Sequence, residues 1–353
     1  MGERIKKCIG LIFGGISNEH SISIKSAISI FDALSSEPLN KIYLIKCFYI
    51  NKNGLWFSNE DSLSVLKHES RIKDFQSLHP SKELKLFPNF DYCGVDIWFP
   101  ILHGMNGEDG SIQGFLSVIQ KPFVGSGILG SALGMDKIIA KQIFSHLKIP
   151  QVKYLPIQNI NLKSKFEIEN ISNKIIENFD FPIFIKPANS GSSIGISKIT
   201  KTSQIIKALK KAWEIDKRIV VEEGIDAREI ECGVIGKIDL KASEVGEVVY
   251  ESDWYDYDSK YKSNNQIIIP AEIDLSVKKK IQDFAIKSCK ILNINVFARV
   301  DFFLKKDTND IYINEINTIP GFTNKSMFPL LWKASGLEIN QLVAKLIDIS
   351  IEL

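Results

Sequence analysis

Apolar and polar positions along the chain first mark out an alternating series of strands and helices. Cys8 to Phe13 is a short apolar run that stops at Gly14-Gly15 and reads as a first strand. A helix from about Glu19 to Leu34 follows, then strands at Ile42 to Ile50 and Val95 to Leu102. Strands alternating with helices imply a wound, parallel sheet. Asn51 to Asn89 is more polar, with a turn at Asn53-Gly54, and reads as an insertion at the edge of that sheet. Gly and Ser become frequent around Gly125 to Met135, where a domain junction is expected, and Asp136 opens a helix through Leu147. A polar stretch, Asn159 to Asn178, leads to the strand Phe181 to Lys186, a Gly/Ser loop, the strand Gly195 to Ile199 and a helix Thr202 to Trp213. Strands near Arg228 to Ile235 and Glu244 to Val249 follow. After them come a polar aromatic loop Glu251 to Asn264, a helix Ser276 to Leu292 and a last hairpin, Val296 to Leu304 with Ile311 to Asn317.

That hairpin carries the most telling pattern. Arg299, Asp301, Glu315 and Asn317 occupy alternate positions among apolar residues, and side chains two apart on a strand share a face. A tight turn between Lys305 and Asp310, around Asp307, Thr308 and Asn309, places Asp301 opposite Glu315. A slip of one residue destroys the pairing. Adjacent carboxylates repel unless a cation or proton intervenes, and oxygen-only donors suit Mg2+ sharing its shell with phosphate. A solvated face on a half-buried hairpin has the same pattern.

Composition adds bounds. The chain has 353 residues, is 44% hydrophobic and 24% charged, and carries a formal net charge of +2. That length allows two or three domains, and the charge indicates no nucleic-acid surface. The first apolar stretch is too short for a signal peptide, no run reaches membrane-spanning length, and Gly2 lacks a myristoylation context. A cytoplasmic protein without a membrane partner is expected. The five cysteines, Cys8, Cys47, Cys93, Cys232 and Cys289, are scattered and never spaced CxxC, so they read as reduced core residues.

Two further clusters carry candidate chemistry. In KPANSGSSIGISK, small residues after Lys186 let backbone N–H groups converge as an anion nest, with two hydroxyls, from Ser192 and Ser193, and a fixed charge from Lys186. It also fits an ordinary turn, and the chain has neither a Walker loop nor a GxGxxG after its first strand. In RIVVEEGIDAREIECGVIG, a strand ends in Glu222-Glu223 and Glu229 follows a short turn. Such acids can accept from an adenine amino group or ribose hydroxyls, or stay solvated.

Together these pieces resemble the ATP-grasp superfamily. GGISNEHSIS, LHGMNGEDGSIQG, SALGMDK, KPANSGSSIGISK, YDYDSKY, ARVDFFL and NEINTIPGFTNKSMFP, in this order from Gly14 to about Pro329, resemble the D-alanine:D-alanine ligases. The resemblance implies an N-terminal α/β wound-sheet domain over residues 1–125. It also implies a two-subdomain α+β ATP-grasp fold, central over 126–222 and C-terminal over 223–353. It implies that ATP phosphorylates one D-alanine and that the amine of a second attacks the acyl phosphate.

The implied roles follow motif by motif. Lys137 and Lys186 would hold the ATP phosphates under a lid containing Ser192 and Ser193. Glu222 would accept from the adenine amino group, Ile225 would meet the base through its backbone, and Glu229 would take the ribose hydroxyls. Asp301, Glu315 and Asn317 would bind two Mg2+, with Mn2+ as a substitute. Glu19 would pair with the first D-alanine's ammonium while His103 sits near its carboxylate or is merely structural. Ser192 and Tyr261 would hydrogen-bond with Glu19 over the closed site. Arg299 and the Gly321 N–H would stabilise the tetrahedral oxyanion. Lys260, Ser326 and the Met327 N–H would receive the second substrate's carboxylate. No residue is an obvious base for the second ammonium.

Lys260-Tyr261 favours amide over D-lactate ester formation, because related depsipeptide ligases lack that pair. Two departures stand out: Ser190 replaces an acid frequent in the family's lid, and Glu223 replaces a frequent lysine beside the adenine. A homodimer through the N-terminal domain is implied. The alternatives are a depsipeptide ligase, another ATP-grasp carboxylate-amine ligase, or a nucleotide-binding regulator without turnover.

Overall fold

The computed structural model describes residues 6–67, 94–158, 164–250 and 266–351. Cys93, much of the expected insertion, and the loop bearing Lys260 and Tyr261 lie outside the described residues.

β1 (Lys7–Gly14), β2 (Tyr43–Ile50) and β3 (Ile97–Pro100) form a parallel sheet in the order β2-β1-β3. β1 is buried at every position after the first, as expected of a strand covered on both faces. On one side Ile24 and Ile30, from the helix His20–Ser35, join Leu342, Val343 and Leu346 from the final helix Ile339–Ile351 in one core. On the other, Ile12 and Trp98 pack on Leu116 of the helix Ser111–Val118.

β4 (Tyr154–Ile157), β5 (Ile183–Pro187), β6 (Ser197–Ile199) and β7 (Ile219–Glu223) form an antiparallel sheet ordered β4-β7-β5-β6. Ile183, Ile185, Ile219 and Val221 face a core with Ile168, Ile175 and Leu209. The period of two turns Phe184, Lys186, Val220 and Glu222 the other way.

β8 (Ala227–Gly236), β9 (Lys241–Val249), β10 (Gln266–Ile268), β11 (Val296–Lys305) and β12 (Ile311–Asn317) form the third sheet, ordered β10-β9-β8-β11-β12 and antiparallel throughout. Ile230, Cys232, Val300, Phe302, Ile313 and Ile316 make its core with Ile281 and Ala285 of the helix Leu275–Ile291. Its other face carries Glu229, Glu231, Arg299, Asp301, Phe303 and Glu315, and a cleft separates it from the second sheet. Cys8, Cys47, Cys232 and Cys289 are buried.

Three helices stand where the sequence reading expected none, besides unassigned elements such as Ser111–Val118 and Tyr154–Ile157. Residues Asn59–Lys67, within the expected irregular insertion, form a helix that puts Val65 and Leu66 into the first core. Ile128–Met135, read as a Gly/Ser junction, is also a helix. Lys165–Asn178, read only as polar, is a third, capped by Ser164 accepting from the Glu167 N–H at 3.3 Å. Ser164 and Glu167 have capping-box spacing, and Ile168, Ile171 and Ile175 keep to one face.

Candidate active site

The cleft between the second and third sheets is a cavity of about 740 Å³, within the range of small-molecule sites. Its walls include Lys137, Lys186, Ser192, Ser193, Glu222, Glu223, Ile225, Glu229, Asp301 and Glu315. Most of the residues assigned to nucleotide and metal therefore converge, although they span more than half the chain.

β11 and β12 pair Asp301 with Glu315 and Arg299 with Asn317. The register expected from sequence is present, but it depends on an irregularity between Asp301 and Phe302, where Phe302 pairs with Ile313 and Asn314 is the extra residue. A bulge lets two residues oppose one. Without it Asp301 would face Asn314. The bulge also keeps Ile313 and Ile316 in the core though three apart.

Each of these acids already has a cationic partner. Arg299 grips Asp301 with two bonds, Nε to Oδ1 at 2.7 Å and Nη2 to Oδ2 at 2.8 Å, and its Nε lies 2.8 Å from Glu231. Burial alone would lower the pKa of Arg299, but Asp301 and then Glu231 raise it well above the ordinary value. Asn317 Nδ2 donates to Asp301 at 2.9 Å, which leaves its amide oxygen as a potential ligand. Lys137 Nζ lies 3.2 Å from Glu315 and donates to the Ser190 carbonyl at 2.7 Å. The carboxylate pair thus occurs where cations gather. Among the described residues no group of three or more His, Cys, Asp or Glu side chains could enclose a metal. Two carboxylates and an amide oxygen fit a hard divalent ion whose remaining ligands are phosphate oxygens and water.

At the other wall, Glu222 is held between two lysines, Lys186 at 2.6 Å and Lys141 at 3.0 Å. Burial would raise the Glu222 pKa, yet Lys141 and Lys186 bring it down to about 2. Burial lowers that of Lys141 against the pull of Glu222, whereas for Lys186 the attraction of Glu222 overcomes burial and raises it. Lys141 lies four residues after Lys137 on the helix Lys137–His146, hence on the same face. Glu223 Oε1 accepts from the Lys153 N–H at 2.7 Å, and the Tyr250 hydroxyl donates to Glu229 at 2.7 Å.

The Gly/Ser loop closes toward the first sheet. Ser192 donates to Glu19, the residue that immediately precedes the helix His20–Ser35. Glu19 is closely enclosed: a Cβ added to Gly191 or Gly104 would meet its carboxylate at 2.9 or 2.4 Å and push it aside, and Gly104 also holds a left-handed φ of 70° that favours glycine. Ser192 and Ser193 both take left-handed backbone angles, φ 49° and 58°, which is costly for non-glycine residues.

His103 is buried, with Nδ1 2.9 Å from the Ile319 carbonyl and Nε2 3.0 Å from Ser26 Oγ. Its pKa is lowered by burial, against Glu19 and the Ile319 carbonyl. Glu108 accepts from the Gly104 and Ile319 N–H groups at 2.8 and 3.1 Å, and burial first, then Glu19, push its pKa up to about 8. Gly321 follows β12. Ser326 Oγ accepts from the Thr323 N–H at 3.1 Å and precedes Met327, the first residue of the helix Met327–Ala334.

Lys141, Glu231, Glu108, Ser26 and Tyr250 are participants that the sequence reading missed. Lys141 is marked by its spacing from Lys137, and Glu231 by alternation with Glu229. Ser26 has no comparable sequence signal.

Comparison with known proteins bears on the family and the fold. Family models described as D-ala D-ala ligase N-terminus and C-terminus match residues 8–126 and 143–348. The chain is 59% identical to a D-alanine–D-alanine ligase of Prochlorococcus marinus subsp. pastoris over the whole of both chains. It is 45% identical to another from Prochlorococcus marinus strain NATL1A, covering 98% of this chain and 99% of that one. Among solved structures, VanG D-Ala:D-Ser ligase from Enterococcus faecalis superposes with a TM-score of 0.83 at 32% identity, covering 98% of this chain and 100% of that one. The D-alanine-D-alanine ligase from Coxiella burnetii gives a TM-score of 0.81 at 31% identity, covering 98% of this chain and 94% of that one.

Proposed function

The chain belongs to the D-alanine–D-alanine ligase family, and from that premise we propose that it joins two D-alanine molecules at the expense of ATP, for peptidoglycan precursor synthesis. The observation that carries this reading is the convergence of the Asp301–Glu315 pair, the Lys137 and Lys186 ammoniums and the Ser192–Glu19 contact on one cleft. The first two suit a nucleotide's phosphates; the third suits a small ammonium substrate beside them.

ATP lies in the cavity with its base near Glu222 and Ile225 and its ribose near Glu229. The ionised state of Glu222 supports its role as acceptor from an amino group. Lys137 and Lys186 meet the phosphates, and Lys137 exchanges Glu315 for phosphate oxygen. Asp301, Glu315 and the Asn317 amide oxygen would hold two Mg2+, or Mn2+, which when bound would neutralise the terminal phosphate oxygens. Glu19 binds the ammonium of the first D-alanine and directs its carboxylate at the γ-phosphorus. A new O–P bond forms as ADP leaves. The second D-alanine, held by Ser326, Met327 N–H and Lys260, gives its ammonium proton to the acyl phosphate and attacks the acyl carbon with the freed amine. The tetrahedral oxyanion is stabilised by Arg299 and the Gly321 N–H, and collapse expels phosphate. Ser192 and Tyr261 close the lid and keep water from the acyl phosphate.

The domain division at 125 and 222, a cytoplasmic location and a homodimer through the first sheet belong to the same proposal. Exposed Ile42 and Leu44, beside and on β2, the outer strand of this sheet among the described residues, support the last. No described helix is long and apolar enough to cross a membrane.

The test is ADP release with product identification. Release should require both D-alanine and Mg2+, with D-alanyl-D-alanine as product even when D-serine or D-lactate competes. Equal stimulation by L-alanine, or a predominant D-serine or ester product, contradicts the assignment.

A further inference from the structure

Gly321 has no side chain to anchor it, so the position of its N–H depends on what grips its neighbours. Three buried side chains from the first layer of the molecule do so. Glu108 accepts from the Ile319 N–H at 3.1 Å, His103 Nδ1 meets the Ile319 carbonyl at 2.9 Å, and Ser26 Oγ accepts from the Phe322 N–H at 3.0 Å. Ser26 Oγ and His103 Nε2 lie 3.0 Å apart, closing the circuit. Thr318 Oγ1 adds a bond to the Glu108 carbonyl at 3.3 Å. Residues on both sides of Gly321 are therefore clamped by groups more than 200 positions earlier in the chain.

The donors and acceptors fix the ring's tautomer. A carbonyl can only accept, so His103 Nδ1 carries the hydrogen. In the neutral ring Nε2 is then bare and accepts from the Ser26 hydroxyl, whose oxygen accepts from Phe322. Every group in this circuit is satisfied, and neither ring nitrogen of His103 is left over for a substrate carboxylate.

We propose that Ser26 and His103, assisted by Glu108, are positioning residues that aim the Gly321 N–H at the tetrahedral oxyanion, and that His103 acts on backbone rather than on D-alanine. The inference rests on the ligase reading above and deepens it. An amide donor stabilises a transition state only when held where charge develops, so loosening this clamp slows turnover without weakening ground-state binding.

The experiment uses the full chain with Ser26→Ala, His103→Asn and His103→Gln. Ser26 is fully buried, and Ser26→Ala removes the partner of Phe322 and of Nε2. Its kcat should fall about 10- to 100-fold, the cost of a small misplacement, with KM for ATP and D-alanine nearly unchanged. Asparagine puts a donor near the place of Nδ1 and should retain more kcat than glutamine, which reaches toward Ser26. A phosphinate mimic of the tetrahedral intermediate should lose affinity in proportion to kcat/KM, a loss that general destabilisation does not produce. Should Ser26→Ala not fold, the histidine pair still decides. Wild-type kcat in Ser26→Ala, or histidine variants that raise KM for D-alanine at constant kcat, would overturn the proposal. Absence of D-alanine-dependent turnover in the wild type would instead overturn the ligase reading itself.

Discussion

The two ends of the cleft solve the same problem of holding polar groups in place by opposite means. At the nucleotide end the fixed groups are charges balanced by one another: Lys137 on Glu315, Lys141 and Lys186 on Glu222, Arg299 on Asp301 and Glu231. At the acyl-transfer end the groups are a serine hydroxyl, an imidazole and a carboxyl whose pKa is raised to about 8, bonded mainly to backbone. Charges that neutralise each other can exchange partners when phosphate and metal arrive. A circuit closed on backbone N–H and C=O groups keeps its geometry. On the proposed reading the cleft is thus exchangeable where nucleotide would enter and preorganised where the oxyanion would form.

Removing the charge between the two ends should have the largest effect. Arg299→Met leaves Asp301 and Glu231 without their guanidinium in a largely buried site, and the loss of one partner from a buried ion pair costs about 3–5 kcal/mol. Urea denaturation measures it; a loss under about 1 kcal/mol, the scale of an exposed pair, would show that Arg299 is not the neutraliser here. Glu315→Gln should come next, at about 2–4 kcal/mol of transition-state stabilisation, the scale of comparable electrostatic deletions. Single-turnover rates measure it, and a variant near the wild-type rate removes Glu315 from the metal-phosphate site.

Lys141→Met leaves Glu222 with Lys186 alone. A bond to a charged group contributes about 1.5–3 kcal/mol, and the loss should appear as weaker ATP binding with little change in kcat at saturating ATP. A fall in kcat alone would assign Lys141 to the chemistry. The last effect is read as a slope with pH rather than as a single loss, and concerns Glu108. Its folded pKa, about 8, lies above the ordinary 4.5, so its contribution to stability is full below pH 4.5 and is lost as pH rises through about 8. The slope in that window approaches about 1.4 kcal/mol per pH unit for one proton. Glu108→Gln should flatten it. Stability measured by denaturation at several pH values makes the slope the readout, and an unchanged slope places the titration elsewhere.

The exchangeable end was largely legible in the sequence because its groups are charged side chains in local patterns. Arg299, Asp301, Glu315 and Asn317 advertise themselves by alternation, and their pairing follows from one turn. The bulge at Asn314 was not legible as such, although Ile313 and Ile316, both buried, break strict alternation. The preorganised end was legible only in part. His103 and Glu108 sit in a segment that resembles the family, but their partners are backbone atoms of Ile319, and a carbonyl or amide carries no residue-specific mark. Ser26 reads as one small residue among several on a helix, and its bond to Phe322 spans 296 positions. The helix Lys165–Asn178 differs again: its capping-box spacing and its stripe of Ile168, Ile171 and Ile175 are sequence signals, masked by the polar residues around them.

A crystal structure of the chain with Mg2+ and a non-hydrolysable ATP analogue tests the contrast most directly. The account expects Lys137 to leave Glu315 for phosphate and an ion to lie between Asp301 and Glu315, while the bonds joining Ser26, His103, Ile319 and Phe322 stay unchanged. Nucleotide bound with Lys137 still on Glu315 and no ion near either acid would contradict it.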